Sequence, residues 1–362
     1  MSEAMSLLCG ESLSIAALIK QPTHWKSNVL GVLCFSADAG GDDVMKAGME
    51  MPCMRVPMQR LDLNDSICEI WQGGENLKQG HYGDIHYQHD DDVLFGVIKL
   101  PETAFAATTD KTPLQQATES AYRQIFALLN TTSDATKDAL GYPHLFRFWN
   151  YIADINGQSF GLERYRQFNL GRQDAFLANE RDVVGNVPAA CALGFAKGSL
   201  TIAFLAGRAV PIAIENPRQI NAYQYPQQYG PRSPTFARAT LVHLRQSEVL
   251  FVSGTASIVG HATLHATDVI VQTHETMVNI DAVLTEANRV ARQPRFCLAD
   301  LHYRIYIRYP ADLEQIQTEV ALCVGSPPRA VYLQADVCRQ DLLLEIEATV
   351  EYPLPPTSGI QD

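Results

Sequence analysis

The feature that most constrains the fold is an order of elements that occurs twice along the chain. In the C-terminal third a strand-like run over 248–252 ends in the small-residue turn Ser253-Gly254-Thr255-Ala256-Ser257, and a helix capped at Thr267 or Asp268 follows. Ile270, Thr273, Met277, Ile280, Leu284 and Ala287 recur at steps of three and four and form its buried stripe. A strand with alternating faces over 301–309, a helix over 311–323, a Gly325-Ser326-Pro327-Pro328 breaker and closing strands over 330–335 and 342–350 complete the unit. Residues 92–206 run through the same order: strand 92–98, helix 114–129, strand 145–155, helix 162–177, then strands 187–195 and 199–206. Leu114, Ala117, Ala121, Ile125 and Leu128 repeat the three-four spacing, so the helices of both copies cover one face of a sheet. The expected class is α+β, two tandem units with helices packed on one face of each mixed sheet.

Composition narrows the function. A chain of 362 residues with 46% hydrophobic content exceeds one ordinary packed domain. The formal charge of -12 repels nucleic acid and anionic membrane, so neither is an expected partner, and an anionic substrate must be held by local arginines. The eight cysteines, at 9, 34, 53, 68, 191, 297, 323 and 338, form no CxxC pair and have no histidine at metal-ligand spacing. This argues against zinc and against a disulfide framework, and favours a reducing compartment. The first stretch carries Glu3 and Glu11 and lacks the layout of a secretory signal, and no apolar run reaches membrane-spanning length, so a cytoplasmic protein is expected. Nothing has the form of a phosphate-cradling loop, a nucleotide fingerprint or a metal cluster, so no cofactor and no metal are expected.

Three segments of the second copy carry a family likeness: Tyr229-Gly230-Pro231-Arg232-Ser233-Pro234 before Phe236-Ala237-Arg238-Ala239, Val252-Ser253-Gly254-Thr255 with Asp268 and Gln272-Thr273-His274-Glu275-Thr276, and Pro328-Arg329 with Leu344-Glu345-Ile346-Glu347-Ala348. In these the chain resembles the Rid/YjgF family, whose trimers place active sites between neighbouring sheets. Gly161-Leu162-Glu163-Arg164-Tyr165, Gly171-Arg172, Glu215-Asn216-Pro217-Arg218-Gln219 and Ala335-Asp336-Val337-Cys338-Arg339 resemble the chorismatase branch in particular, and the likeness runs from about residue 80 to 352. The resulting division is an N-terminal extension over 1–80 packing on the first unit, a degenerate unit over 81–215, a linker with binding residues over 216–235, and a unit carrying the catalytic glutamate over 236–362.

The resemblance implies removal of the enolpyruvyl group of chorismate as pyruvate, which needs arginine forks for two carboxylates and a proton donor near an acid-labile enol ether. Strand alternation puts Glu345 and Glu347 on one face and Leu344, Ile346 and Ala348 on the other, and Glu345 is the implied donor. Arg329 stands where the Rid/YjgF pattern has its carboxylate-binding arginine, one residue further from Glu345 than in that pattern. The first copy has Ala189 at the Arg329 place and Ala203 at the Glu345 place, so one active site per pair of units is expected, with Arg147, Tyr151 and Arg172 as candidates for its other wall. Tyr223 and Arg232 of the linker, and Gly254 and Ala256 of the small-residue turn, are further substrate-binding candidates. Cys338, seven residues before Glu345, is similar to the cysteine of members that make 3-hydroxybenzoate, whereas Ala256 is similar to hydrolytic members. The product therefore stays open among 3-hydroxybenzoate, 4-hydroxybenzoate and a dihydroxy-cyclohexadiene acid. An imine deaminase and a non-catalytic binder of aromatic carboxylates are the competing readings, and the assembly is expected to be a monomer or trimer-like.

Overall fold

A computed structural model describes residues 9–37, 51–74, 76–130 and 141–354. Its class is α+β, with three sheets that share one wiring scheme. The first holds β1 (Cys9–Leu13), β2 (Val29–Phe35), β3 (Cys53–Val56) and β4 (Ile67–Gln72) in the order β1-β4-β2-β3. The second holds β5 (Lys78–Tyr82), β6 (Ile85–His89), β7 (Val93–Leu100), β8 (His144–Ala153), β9 (Ala189–Phe195) and β10 (Leu200–Gly207) in the order β5-β6-β7-β10-β8-β9. The third holds β11 (Ile212–Ile214), β12 (Ala239–His243), β13 (Ser247–Thr255), β14 (His302–Ile307), β15 (Arg329–Gln334) and β16 (Leu344–Pro353) in the order β11-β12-β13-β16-β14-β15. In each sheet the last four strands of the chain order lie first, fourth, second, third, with the second and third parallel and the rest antiparallel. Strands β1–β4, which lie before the stretch that carries the family likeness, thus repeat the strand wiring of the two later units.

Helices α1 (Pro113–Asn130) and α2 (Arg164–Ala178) cover the second sheet, and α3 (Val269–Val290) and α4 (Leu313–Val324) cover the third. The Asp268 side chain caps α3 by accepting from Val271 N at 3.0 Å. This start puts Val269, Thr273, Met277, Ile280, Leu284 and Ala287 inside and leaves Ile270 44% exposed, one position off the stripe expected from spacing. Gly171 explains how closely α2 lies on α1, since a Cβ there would stand 2.2 Å from the Gln115 carbonyl oxygen.

The three uncovered faces pack on one another. Phe35 and Trp71 from the first sheet, Trp149 and Tyr151 from the second, and Phe251, Tyr306 and Leu333 from the third share a single core, each large side chain contributing about 1.5–3 kcal/mol by burial. Trp71 lies 5.3 Å from Trp149 and 6.0 Å from Phe251, ring centre to ring centre. An ion chain crosses this core: Glu69 pairs with Arg304, Arg304 with Glu347, and Glu347 with Arg147, so all three sheets are joined. The register of β2 against β4 also sets Cys34 opposite Cys68, where they form a disulfide. The scattered spacing gave no sign of this pair, because sheet pairing, not sequence proximity, brings the two sulfurs together.

Candidate active site

Where the second and third sheets meet, backbone and side-chain bonds cross between them. Gly194 N donates to Asp336 O at 2.7 Å, Ala237 N to Pro188 O at 3.1 Å, and Ala190 N to Ser253 Oγ at 2.9 Å. Between these bonds opens a cavity of about 620 Å³, walled by Tyr165, Arg172 and Cys191 from the second sheet's unit, by Tyr225 and Tyr229 from the linker, and by Arg238, Gly254, Ala256, Cys338, Arg339 and Glu345 from the last unit.

Glu345 forms its floor. Alternation along β16 sends Leu344, Ile346, Ala348 and Val350 into the helix-covered core and Glu345 and Glu347 to the other face. A bulge between Val252 and Thr255 breaks the pairing of β13 with β16, and Gly254 sits within it. A Cβ on Gly254 would stand 1.8 Å from Glu345 Oε1, so only glycine leaves room for this carboxyl. Burial, with the neighbouring Glu347 charge adding to it, pushes Glu345 up to about 8, against the opposing pull of Arg147. Glu347 is buried too, yet Arg304 and Arg147 hold its carboxyl below the ordinary range. Two glutamates two residues apart therefore differ in protonation at neutral pH.

Three arginines face the cavity without an ion pair among the described residues. Arg172 donates to Asn169 Oδ1 at 2.9 Å, Arg238 to Tyr225 Oη at 2.9 Å and Ile220 O at 2.8 Å, and Arg339 to His261 O at 2.9 Å. Each keeps one buried N–H with no partner among the described residues: Nε of Arg172, Nε of Arg238 and Nη2 of Arg339. Aromatic faces fix two of the guanidinium planes, with Arg339 4.0 Å from the Tyr229 ring centre and Arg238 5.1 Å from that of Phe236. Uncommitted, buried, oriented donors of this kind suit planar oxyanions. Burial, and next the Glu345 charge, push the Cys338 thiol up to about 12, so it stays protonated beside the carboxyl. Arg308 holds the loop that carries Cys338 and Arg339, donating to Leu342 O, Asp336 Oδ1, Val337 O and Arg339 O at 2.7–3.1 Å, and to Asn156 Oδ1 of the other unit at 3.1 Å.

The structure brings Glu345, Cys338, Arg172, Gly254 and Ala256 together and places the other candidates elsewhere. Arg329 pairs with His302 across β15 and β14, while Glu345 pairs with Tyr306 from the other side of β14, four residues and so about 13 Å further along the strand direction. It lines a separate cavity of about 420 Å³ instead, with His302 Nε2 3.2 Å from its Nη1. Arg147 is consumed by Glu347 and by Val252 O at 3.1 Å, and Tyr151 by Tyr306 Oη at 2.8 Å, both in the buried ion chain beneath the cavity. Tyr223 accepts from Asn221 Nδ2 at 2.6 Å outside the cavity, and Arg232 is exposed. The register also moves the first copy's counterpart of Glu345 from Ala203 to Thr201, which pairs with Tyr151 as Glu345 pairs with Tyr306. The turn before β10 spans residues 196–199 and the one before β16 spans 335–343, so counting between strands misaligns the two copies. Arg238, Arg339, Tyr225, Tyr229 and Tyr165 stood inside the quoted motifs or the linker. The motifs assigned the two arginines no role, because only the bulge and the inter-unit contacts reveal which way their side chains point.

Residues 69–206 match the family described as chorismatase FkbO/Hyg5-like, N-terminal. A chorismatase of Streptomyces rapamycinicus is 35% identical over 294 residues, which are 79% of this chain and 83% of that protein. A 3-hydroxybenzoate synthase of Streptomyces hygroscopicus is 32% identical over 338 residues, 89% of this chain and 92% of the relative. A chorismatase crystal structure superposes with a TM-score of 0.81 at 30% identity, covering 97% of this chain and all of its own. Fold and cleft define an α+β enzyme of tandem repeated units. More narrowly, the chain belongs to the chorismatase family.

Proposed function

We propose that the enzyme converts chorismate to pyruvate and a hydroxybenzoate, 3-hydroxybenzoate and/or 4-hydroxybenzoate, with Glu345 protonating the enolpyruvyl group. The supporting observation is a carboxyl raised to about 8 on the floor of a cavity that also holds three arginines with no ion pair among the described residues. Glu345 is protonated at neutral pH, as a general acid requires, and its proton goes to the methylene carbon, leaving an oxocarbenium ion. The arginines take the two carboxylates of the substrate, and Arg172 and Arg339 approach from opposite units. Capture of the oxocarbenium ion by the ring hydroxyl, then ring opening and aromatisation, releases pyruvate and the hydroxybenzoate with no net consumption of water. The protonated thiol of Cys338 stands beside the reacting face and supports this route.

A second outcome is attack by water, which adds one water and gives pyruvate plus a dihydroxy-cyclohexadiene carboxylate. The methyl group of Ala256 in the cavity wall supports it, since hydrolytic members are similar at that position. Incubation with chorismate, a pyruvate assay and chromatography of the aromatic product test both. Pyruvate in one-to-one yield with 3- or 4-hydroxybenzoate is expected. A dihydrodiol instead selects the hydrolytic route, and no pyruvate from folded protein overturns the proposal.

A further inference from the structure

The helix-covered face of the last unit carries a cluster that the cleft chemistry leaves unused. His274 of α3 meets Glu319 and Cys323 of α4. His274 Nδ1 lies 2.9 Å from Glu319 Oε1 and 3.7 Å from Cys323 Sγ, and Sγ lies 3.5 Å from Oε1. A zinc ion at about 2.0 Å from nitrogen and oxygen and about 2.3 Å from sulfur, in tetrahedral geometry, holds such atoms about 3.3–3.6 Å apart. The triangle therefore already matches one face of that tetrahedron to within about half an ångström.

The geometry points to a zinc site formed by His274, Glu319 and Cys323, with its fourth position open to solvent. One imidazole, one thiolate and one carboxylate are a borderline-soft set that suits zinc and disfavours magnesium and calcium, which take oxygen ligands only. Glu319 and Cys323 are four residues apart and so share a helix face, and the packing of α4 on α3 delivers His274 to it. The cluster is accessible, with His274 exposed and the other two half-buried. His274 lies 45 and 49 residues from its two partners, which is why cysteine and histidine spacing along the chain carries no zinc signal. The site has a mechanical consequence. Ile316 and Val320 are the buried residues of α4, so the helix is lightly anchored and an ion bridging to α3 staples it.

The test uses the full chain, stripped by chelation and titrated with cobalt, then with zinc. The expected result is one equivalent of cobalt with a thiolate-to-metal absorption band in the near ultraviolet, displacement by zinc, and a melting temperature that rises with zinc concentration. Cys323→Ser should abolish the band, and His274→Ala and Glu319→Gln should each weaken zinc binding by roughly tenfold or more. All three positions lie at the surface of the helix pair, and circular dichroism checks that each variant stays folded. A band that survives Cys323→Ser assigns the metal to another cysteine and overturns the proposal, as does wild-type protein that shows no band with excess cobalt. The readout is the metal itself, so failure here leaves the reading of the cleft untouched.

Discussion

The two six-stranded sheets share strand order and register, yet their fourth strands turn different chemistry inward. β10 presents Thr201, Ala203 and Leu205, and β16 presents Glu345, Glu347 and Thr349 at the corresponding places. In the second sheet Ala203 and Leu205 join Trp149 in the apolar core between the sheets. In the third, two carboxyls enter a shared core and meet opposite fates. Glu347 is neutralised by Arg304 from its own sheet and Arg147 from the other, whereas Glu345 has no ion-pair partner among the described residues and keeps its proton. A duplicated scaffold thus holds one carboxyl protonated where arginines from two sheets pair with one glutamate and leave its neighbour without an ion pair among the described residues.

The largest test of this contrast is Glu345→Gln, which keeps the shape and removes the proton. It should lower kcat for pyruvate release by about 10²–10⁴-fold with little change in KM. In the wild type, kcat/KM should be flat below about pH 8 and fall about tenfold per unit above it, because the acid is then spent. Stability gives a second reading of the same group. From its ordinary value of 4.5 up to about 8, the unfolded chain releases this proton while the folded chain retains it. Wild-type stability should therefore fall relative to Glu345→Gln by about 1.4 kcal/mol per pH unit across that window, and not below it. Parallel melting profiles of the two proteins from acid to neutral pH would show that the carboxyl is not held protonated.

Smaller effects are expected from the groups around the acid. Arg238→Lys replaces a fork stacked on aromatic rings by a point charge, and kcat/KM should drop by roughly tenfold to a hundredfold, mostly through KM. Arg308→Lys leaves three donors where five acceptors were satisfied, which costs about 1–3 kcal/mol of stability. It should lower kcat more than it raises KM, because it loosens the loop bearing Cys338 without removing a substrate contact. Loss of activity with no change in this ratio would assign Arg308 to stability alone.

What was legible in the sequence follows from which periodicities were complete. The helices over 114–129 and 269–287 and the alternation of 344–348 are local patterns, and they located the α+β units and the inward face of Glu345. The first sheet was not legible, since β1 and β3 have only five and four residues, too short for a clear alternation. Arg147, Tyr151 and Arg329 share the polar chemistry of true cleft residues. Only strand register shows that the first two serve an ion chain beneath the cavity and that the third opens on another one. Arg238 and Arg339 present the reverse case, ordinary arginines in sequence whose orientation depends on the aromatic rings they stack against.

The smallest expected effect is at Thr201, the counterpart of Glu345. Its Oγ1 donates to Ser199 O at 3.1 Å within its own turn, and Thr201 is not among the residues that line the cavity. Thr201→Val removes that single bond, keeps the volume and leaves no carboxylate partner unpaired, so stability should change by about 1 kcal/mol or less and pyruvate release by less than about twofold. Glu345 and Thr201 are thus the same position of one fold asked the same question. A Thr201→Val enzyme that lost activity as Glu345→Gln does would mean that the first copy takes part in the chemistry, and the division between an acid sheet and a walling sheet would fall.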